Sequence, residues 1–163
     1  MITGFAPISD SRSRILILGS MPSEASLTKN QYYGHPRNAF WPLMCELFGE
    51  TCYEDYAERT DMLLRHGVAL WDVVAECERT GSSDAAIKNV KANDFIVFFD
   101  AHPLVKHVFF NGEKAYALFI RHAGLIHADV KYERLGSTSP AHAIPFDRRK
   151  ADWQKILPYL ESL

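Results

Sequence analysis

One segment places the amide of Asn38 close to two adjacent tyrosines, residue types that can position water and bind a flat ligand. Residues 31–41 read Gln-Tyr-Tyr-Gly-His-Pro-Arg-Asn-Ala-Phe-Trp, and Asn38 precedes apolar residues at helical spacing. An amide is not a strong base, but it donates and accepts hydrogen bonds at once, so Asn38 can orient a water molecule or hold a bound group. Capping of the following helix is the alternative role for Asn38. Tyr32 and Tyr33 are either stacking surfaces or part of the core.

A second polar segment, residues 137–142, reads Ser-Thr-Ser-Pro-Ala-His and supplies hydroxyls and an imidazole. Because histidine changes charge near neutral pH, His142 can donate to a ligand oxygen or to a phosphate. The hydroxyls of Ser23, Ser137 and Ser139 can also bind phosphate, although turn formation explains each serine equally well.

The elements that must position these side chains follow an alternating pattern. Apolar strand signals fall at residues 15–18, 68–71, 105–110 and 132–135. Helical patterns cover residues 38–48, 56–66, 94–102, 113–122 and 150–160. This alternation predicts an α/β fold, a three-layer α/β/α sandwich around a central, mostly parallel, four-stranded sheet. We expect a single domain over residues 1–163, with the polar residues 79–91 forming a long surface loop.

In such sheets a ligand binds outside the carboxyl ends of the strands. The four predicted strands end at Gly19-Ser20-Met21-Pro22-Ser23, at Asp72, at Asn111-Gly112 and at residues 136–140, which should share one rim. Asp72 is the one carboxylate expected there. It either activates water or caps the next helix.

Composition excludes several functional classes. The net charge is −2, which argues against a strongly basic nucleic-acid binder, and the basic run at residues 148–150 is expected to be a solvated face. The three cysteines lack the spacing of a disulfide framework, zinc site or iron-sulfur cluster, and no window approaches a membrane span. We expect a monomeric, cytoplasmic protein with no cofactor and no metal.

The order and spacing of the motifs resemble the uracil-DNA glycosylase superfamily over residues 12–160. Residues 35–41 are similar to the mismatch-specific uracil-DNA glycosylases, whereas residues 19–23 and 137–142 are similar to the hypoxanthine-DNA glycosylase branch. The resemblance implies a monofunctional DNA glycosylase of base excision repair. The partner of such an enzyme is DNA that contains a deaminated base, and the branch resemblance favours hypoxanthine. The reaction hydrolyses the N-glycosidic bond.

The resemblance also implies roles for individual residues. Asn38 is the catalytic residue, and Ser23, Ser137 and Ser139 are the candidate DNA-phosphate ligands. Ser137 stands where the family usually has His or Asn. Met21 and Pro22 stand where the family usually has a polar residue that orients or activates water. No lysine occupies a motif position, so strand cleavage through a Schiff base is not expected. The candidate base-binding residues are Gly19, Ser20 and Met21 through backbone N–H groups, Tyr33 by stacking, Asn111 at the base edge, and His142.

Three other functions stay open. A uracil or mismatch-specific glycosylase has the same fold, and a catalytically silent nucleic-acid-binding module would explain Met21. A small-molecule nucleoside hydrolase is disfavoured, because the chain lacks clusters of metal-binding aspartates. Relatives insert a wedge into the duplex from the stretch that corresponds to residues 142–149, in which Ile144 and Phe146 are the apolar candidates.

Overall fold

The fold is known from a computed structural model that describes residues 1–124, 127 and 129–160. The described strands are β1 (Ile2–Thr3), β2 (Ile15–Gly19), β3 (Val68–Asp72), β4 (Val74–Glu78), β5 (Lys88–Ala92), β6 (His107–Asn111) and β7 (Lys131–Leu135). The described α-helices are α1 (Glu24–Lys29), α2 (Phe40–Phe48), α3 (Tyr56–Arg65), α4 (Phe95–Ala101), α5 (Glu113–His122) and α6 (Phe146–Trp153).

Four parallel strands form the central sheet in the order β3-β2-β6-β7. All five residues of β2 are buried, because helices cover both faces of the sheet. Leu16 and Leu18 pack into one core, and Ile15 and Ile17 into the other, as the alternation of a strand requires. The predicted α/β sandwich and its four strands are confirmed.

The register places the carboxyl ends of the strands side by side. Gly19 lies opposite Asp72 on β3, and Asn111 on β6 lies opposite Leu135 on β7. A loop that leaves each strand therefore begins at the same edge of the sheet. This edge is where the candidate site lies.

The prediction of a long loop over residues 79–91 is wrong. Within this stretch, β5 begins at Lys88 and pairs antiparallel with β4, and a 3-10 turn covers Asp84–Ala86. With β1 these strands form a second, three-stranded sheet in the order β1-β4-β5. An edge strand such as Lys-Asn-Val-Lys-Ala forms through backbone hydrogen bonds, so its polar composition gives little warning.

The last helix differs from the prediction in its bounds, and one further helix was not predicted. The last helix was expected at residues 150–160, whereas α6 begins at Phe146 and a 3-10 helix, Gln154–Tyr159, follows it. Pro158 lies in that 3-10 helix, where an α-helix would lose a backbone hydrogen bond. Helix α1, which follows the first rim loop, was not predicted. Its N-cap is Ser23, whose hydroxyl accepts from the Ser26 N–H at 3.2 Å.

Candidate active site

A cavity of about 640 Å³ opens at the carboxyl ends of the central strands. It is lined by the loop after β2, by Asp72 at the end of β3, by Asn111 at the end of β6, and by residues 137–142 after β7. The structure brings all ten predicted site residues to its wall: Gly19, Ser20, Met21, Ser23, Tyr33, Asn38, Asn111, Ser137, Ser139 and His142.

The loop between β4 and β5 forms a further wall that sequence reasoning missed. Ser82, Ser83, Asp84 and Ala85 of this loop line the cavity. The Ser20 hydroxyl donates to Oδ1 of Asp84 at 2.6 Å, and the Glu24 N–H donates to the Ser82 hydroxyl at 2.8 Å. The site thus contains a second carboxylate, Asp84, besides Asp72. Nothing in the polar run at residues 79–91 signalled its position, because the hairpin itself was not predicted.

Asn38 lies on the cavity wall just before α2. Its Oδ1 accepts from the Phe40 N–H at 2.9 Å and so supports the start of α2, although the N-cap residue of this helix is Ala39. The next residue, Ala39, donates its N–H to the Thr138 carbonyl at 3.0 Å and ties this segment to the loop after β7. With Oδ1 held by the backbone, the Nδ2 donor group of Asn38 has no hydrogen-bond partner within the described chain and faces no competition for a ligand.

Tyr33 has an unusual backbone and a buried hydroxyl. Its φ is +53°, a left-handed conformation that is costly for an aromatic residue. Its ring stacks on Phe40, with ring centroids 4.2 Å apart and planes 22° apart. Burial raises the pKa of the hydroxyl well above its usual value, although the nearby Asn111 amide opposes the rise. Among the described residues no group lies in hydrogen-bonding geometry with this hydroxyl. The strained conformation fixes the Tyr33 ring at the cavity.

Asp72 is 4% exposed and lines the cavity. It does not cap a helix, so that alternative is wrong: β4 begins two residues later. Its Oδ2 has no hydrogen-bond partner in the part of the chain that the structure describes. Burial, with a smaller contribution from the nearby Asp84, raises the pKa of this carboxyl to about 7, although Arg79 opposes the rise. The carboxyl is therefore largely neutral below pH 7.

Asn111 is joined to Thr138 by two hydrogen bonds. Its Nδ2 donates to the Thr138 hydroxyl and its Oδ1 accepts from the Thr138 N–H, both at 2.9 Å. This pair fixes the loop after β7, and one N–H and one lone pair of the amide remain for a ligand. The serines of the loop also form turns, because the Ser137 hydroxyl accepts from the Ser139 N–H and the Ser139 hydroxyl accepts from the Ala141 N–H.

Arg149 holds the loop after β7 in place through hydrogen bonds to its backbone, and we call this contact the clamp. Its guanidinium donates to the carbonyls of Ser137 and His142, the latter at 2.6 Å. The side chain is 7% exposed, so the expectation that residues 148–150 form a solvated face is wrong for Arg149. Lys150 pairs with Glu46 on α2 at 2.9 Å. Only Arg148 of the run remains fully at the surface.

A second cavity, of about 620 Å³, lies at the opposite ends of the strands. Two of its three arginines are already paired: Arg12 with Asp10, and Arg65 with Glu50 and Asp61. The amino ends of parallel strands are also not where such sheets bind ligands. We therefore assign the functional site to the cavity that contains Asn38.

The described residues offer neither a metal site nor a membrane-spanning helix. Within them no group of three or more His, Cys, Asp or Glu side chains is placed to hold a metal ion. No helix in those same ranges is long and apolar enough to cross a membrane.

The chain is similar to known proteins over nearly its whole length. The family model for the Uracil DNA glycosylase superfamily matches residues 6–161. The Hypoxanthine DNA glycosylase of Methanosarcina barkeri is 39% identical over 155 residues, 92% of this chain and 94% of that protein. The Hypoxanthine DNA glycosylase of Methanosarcina acetivorans is 35% identical over 158 residues, 94% and 96% of the two chains. A solution NMR structure from Methanosarcina acetivorans, of a protein provisionally named a uracil DNA glycosylase, superposes with a TM-score of 0.81 at 34% identity and covers 98% of both chains.

Proposed function

The chain belongs to the uracil-DNA glycosylase superfamily, and on that premise we propose that it removes hypoxanthine from DNA by hydrolysing the N-glycosidic bond of deoxyinosine. The family resemblance predicted from the motifs is thereby confirmed. The relatives that match nearly end to end bear the name Hypoxanthine DNA glycosylase, and they support this base over uracil. The observation that carries the proposal is the position of Asn38 on the wall of the cavity at the strand carboxyl ends.

Hydrolysis of this bond leaves positive charge on the sugar and negative charge on the departing base. Catalysis therefore needs donors aimed at the base and a positioned water. We assign the base donors to the backbone N–H groups at Gly19, Ser20 and Met21. The Met21 side chain is 7% exposed and packs into the core, so this loop offers its backbone to the ligand at that residue.

Asn38 takes the catalytic role. Because its Oδ1 accepts from the Phe40 N–H and the residue lines the cavity, we assign Nδ2 as the group that contacts the ligand. A fixed amide can orient water or the sugar-base unit without losing conformational entropy in the transition state. In the first motif, Met21 and Pro22 stand in place of the polar residue that the family usually has. Neither side chain can take over the catalytic role that we assign to Asn38.

The remaining assignments concern the base and the DNA backbone. The ring of Tyr33 supplies the stacking surface for an extruded base, and Asn111 and His142 contact its edge. Ser23, Ser137 and Ser139 contact DNA phosphates while also forming their turns. Phe146 is 39% exposed at the start of α6, whereas Ile144 is half-buried, which favours Phe146 as the wedge. We further propose that the protein acts as a monomer in the cytoplasm.

The test is base release from matched oligonucleotides that carry deoxyinosine, deoxyuridine or deoxyxanthosine, with abasic sites revealed by alkali. We expect release of hypoxanthine and an unbroken strand before alkali. Release of uracil alone would move the protein to the uracil or mismatch-specific branch. Binding of all three oligonucleotides without release would identify a silent binding module.

A further inference from the structure

Asp72 is the most heavily buried polar group of the site without a described partner. It lies at the carboxyl end of β3, and its Oδ1 is packed against Gly19 on β2. Oδ2 accepts no hydrogen bond from the described residues, and only the backbone carbonyl of Asp72 is paired, with Nδ2 of Asn93 at 2.7 Å. A buried carboxyl with no partner is costly, so a ligand that completes its hydrogen bonds gains from the contact.

The surroundings of Asp72 favour its neutral form. Burial and the Asp72 charge raise the pKa values of Tyr32, Tyr33 and Tyr56, which are therefore neutral phenols, and Asp84, on the loop between β4 and β5, adds a like charge. Among the described residues, the cation that opposes this effect is Arg79, whose Nε and Nη2 donate to the carbonyls of Gly81 and Pro22 and whose buried Nη1 has no described partner. Desolvation by burial is the larger effect and raises the pKa of Asp72 to about 7.

We propose that Asp72 binds the departing base as a neutral acid, with its hydroxyl donating to O6 of hypoxanthine and its carbonyl oxygen accepting the N1–H. This inference rests on the proposed function and names a specificity residue for it. A neutral carboxyl presents one donor and one acceptor on adjacent atoms, and the lactam edge of hypoxanthine presents the complementary pair. An ionised carboxylate would instead set two acceptors against O6.

The same contact favours the transition state. Negative charge spreads onto the base as the N-glycosidic bond breaks, so a donor at O6 binds the departing base more strongly than the intact nucleotide. Ser137 occupies the family position for a His or Asn that would stabilise the base, and the Asp72 hydroxyl supplies a donor from another strand. No proton needs to leave Asp72 in this step.

A rival role for Asp72 is that of an ionised base that activates water. The two roles differ in their response to pH and to an isosteric amide. Asparagine keeps a donor and an acceptor at every pH, so it can replace a neutral acid. It cannot replace an ionised base, which must accept a proton.

The experiment measures single-turnover release of hypoxanthine from a deoxyinosine oligonucleotide between pH 5.5 and 9. We compare the wild type with Asp72→Asn, Asp72→Val and the control Asp129→Asn, whose exposed carboxylate pairs with Lys106 outside the site. The wild-type rate should fall about tenfold per pH unit above about pH 7, as the neutral fraction of Asp72 falls. Asp72→Asn should keep a rate within about tenfold of the wild type at pH 6 and lose this alkaline decline, and Asp72→Val should be slower by about 10²-fold or more at every pH.

Each other outcome has a stated meaning. His142 lines the same cavity and is present in all variants, so an alkaline decline that persists in Asp72→Asn overturns the inference. It is also overturned if Asp72→Asn is as slow as Asp72→Val while neither variant unfolds below the wild-type temperature, or if Asp72→Val matches the wild type. If the wild type itself releases no hypoxanthine, the proposed function fails and this inference fails with it; the Asp72 outcomes leave the proposed function standing.

Discussion

Gly19 and Asp72 lie side by side at the ends of two paired strands, so close that a methyl group on Gly19 would be 2.5 Å from Oδ1 of Asp72. The same methyl group would be 3.1 Å from the Tyr33 hydroxyl. Because residue 19 has no side chain, the Asp72 carboxyl and the Tyr33 hydroxyl can both lie close to the backbone at the bottom of the cavity. The glycine of the first motif thus has a packing reason.

We predict that Gly19→Ala destabilises the protein and slows base release. The buried Asp72 side chain cannot move aside cheaply, so the overpacking should cost about 1–3 kcal/mol in the free energy of unfolding. Urea denaturation measures this cost, and a double-mutant cycle tests its cause. Most of the cost should disappear when Gly19→Ala is made in an Asp72→Ala background. An equal cost in both backgrounds would show that the carboxyl is not what the methyl group meets.

A second prediction concerns the pH dependence of stability. The pKa of Asp72 is about 7 in the folded protein and near 3.8 when unfolded, so the folded state retains the proton longer and stability falls as pH rises between these values. Each pH unit in that window corresponds to about 1.4 kcal/mol, so Asp72→Asn should be more stable than the wild type by up to about 4 kcal/mol at pH 8. The gain should vanish at pH 3.5. Urea denaturation at both pH values checks it, and a gain that is independent of pH would contradict the burial of an unpaired carboxyl.

Arg149 and its neighbour Arg148 offer a matched comparison. Arg149→Gln should lower the free energy of unfolding by about 1–3 kcal/mol, because it leaves the carbonyls of Ser137 and His142 without their donor. Arg148→Gln removes an exposed charge of the same kind and should change stability by less than about 0.5 kcal/mol. Base release should slow in the first variant only, since the loop that carries His142 is then less well held. Equal thermal shifts in the two variants would refute the clamp.

The wedge assignment predicts a difference between DNA forms. Phe146→Ala should reduce release from a duplex by about tenfold, since an apolar wedge offsets part of the cost of unstacking the base. Release from a single strand, which requires no such wedge, should change by less than about twofold. Ile120→Ala, at an equally exposed apolar residue on α5, is the control. Equal losses on both DNA forms would assign Phe146 to folding or to the cavity instead.

The central sheet could be predicted because buried parallel strands are continuous apolar runs, as at Ile15–Gly19. Loops at the carboxyl ends of such strands then share an edge, which brought Asn38, Asn111 and His142 to one cavity. Asp84 could not be predicted, since it depends on an edge strand whose residues are polar and which forms through backbone pairing. The burial of Arg149 was equally hidden. A basic run is usually solvated. Only the packing of α6 against the loop after β7 shows that the Arg149 guanidinium donates to two backbone carbonyls.

The two roles of Asn38 make opposite predictions for one substitution. Asn38→Ser keeps a side-chain oxygen that can accept from the Phe40 N–H, but it lacks the amide donor that faces the cavity. Asn38→Ala loses both and should also lower the free energy of unfolding by about 1 kcal/mol. A helix-start role would leave Asn38→Ser active, whereas a catalytic role would not.

The most direct test is the single-turnover rate of hypoxanthine release from a deoxyinosine duplex by the wild type, Asn38→Ser and Asn38→Ala at 25 °C and pH 6. We predict that both variants are slower by about 10²–10³-fold while Asn38→Ser unfolds within about 0.5 kcal/mol of the wild type. A wild-type rate in Asn38→Ser would contradict the account, because Asn38 would then serve only to start α2.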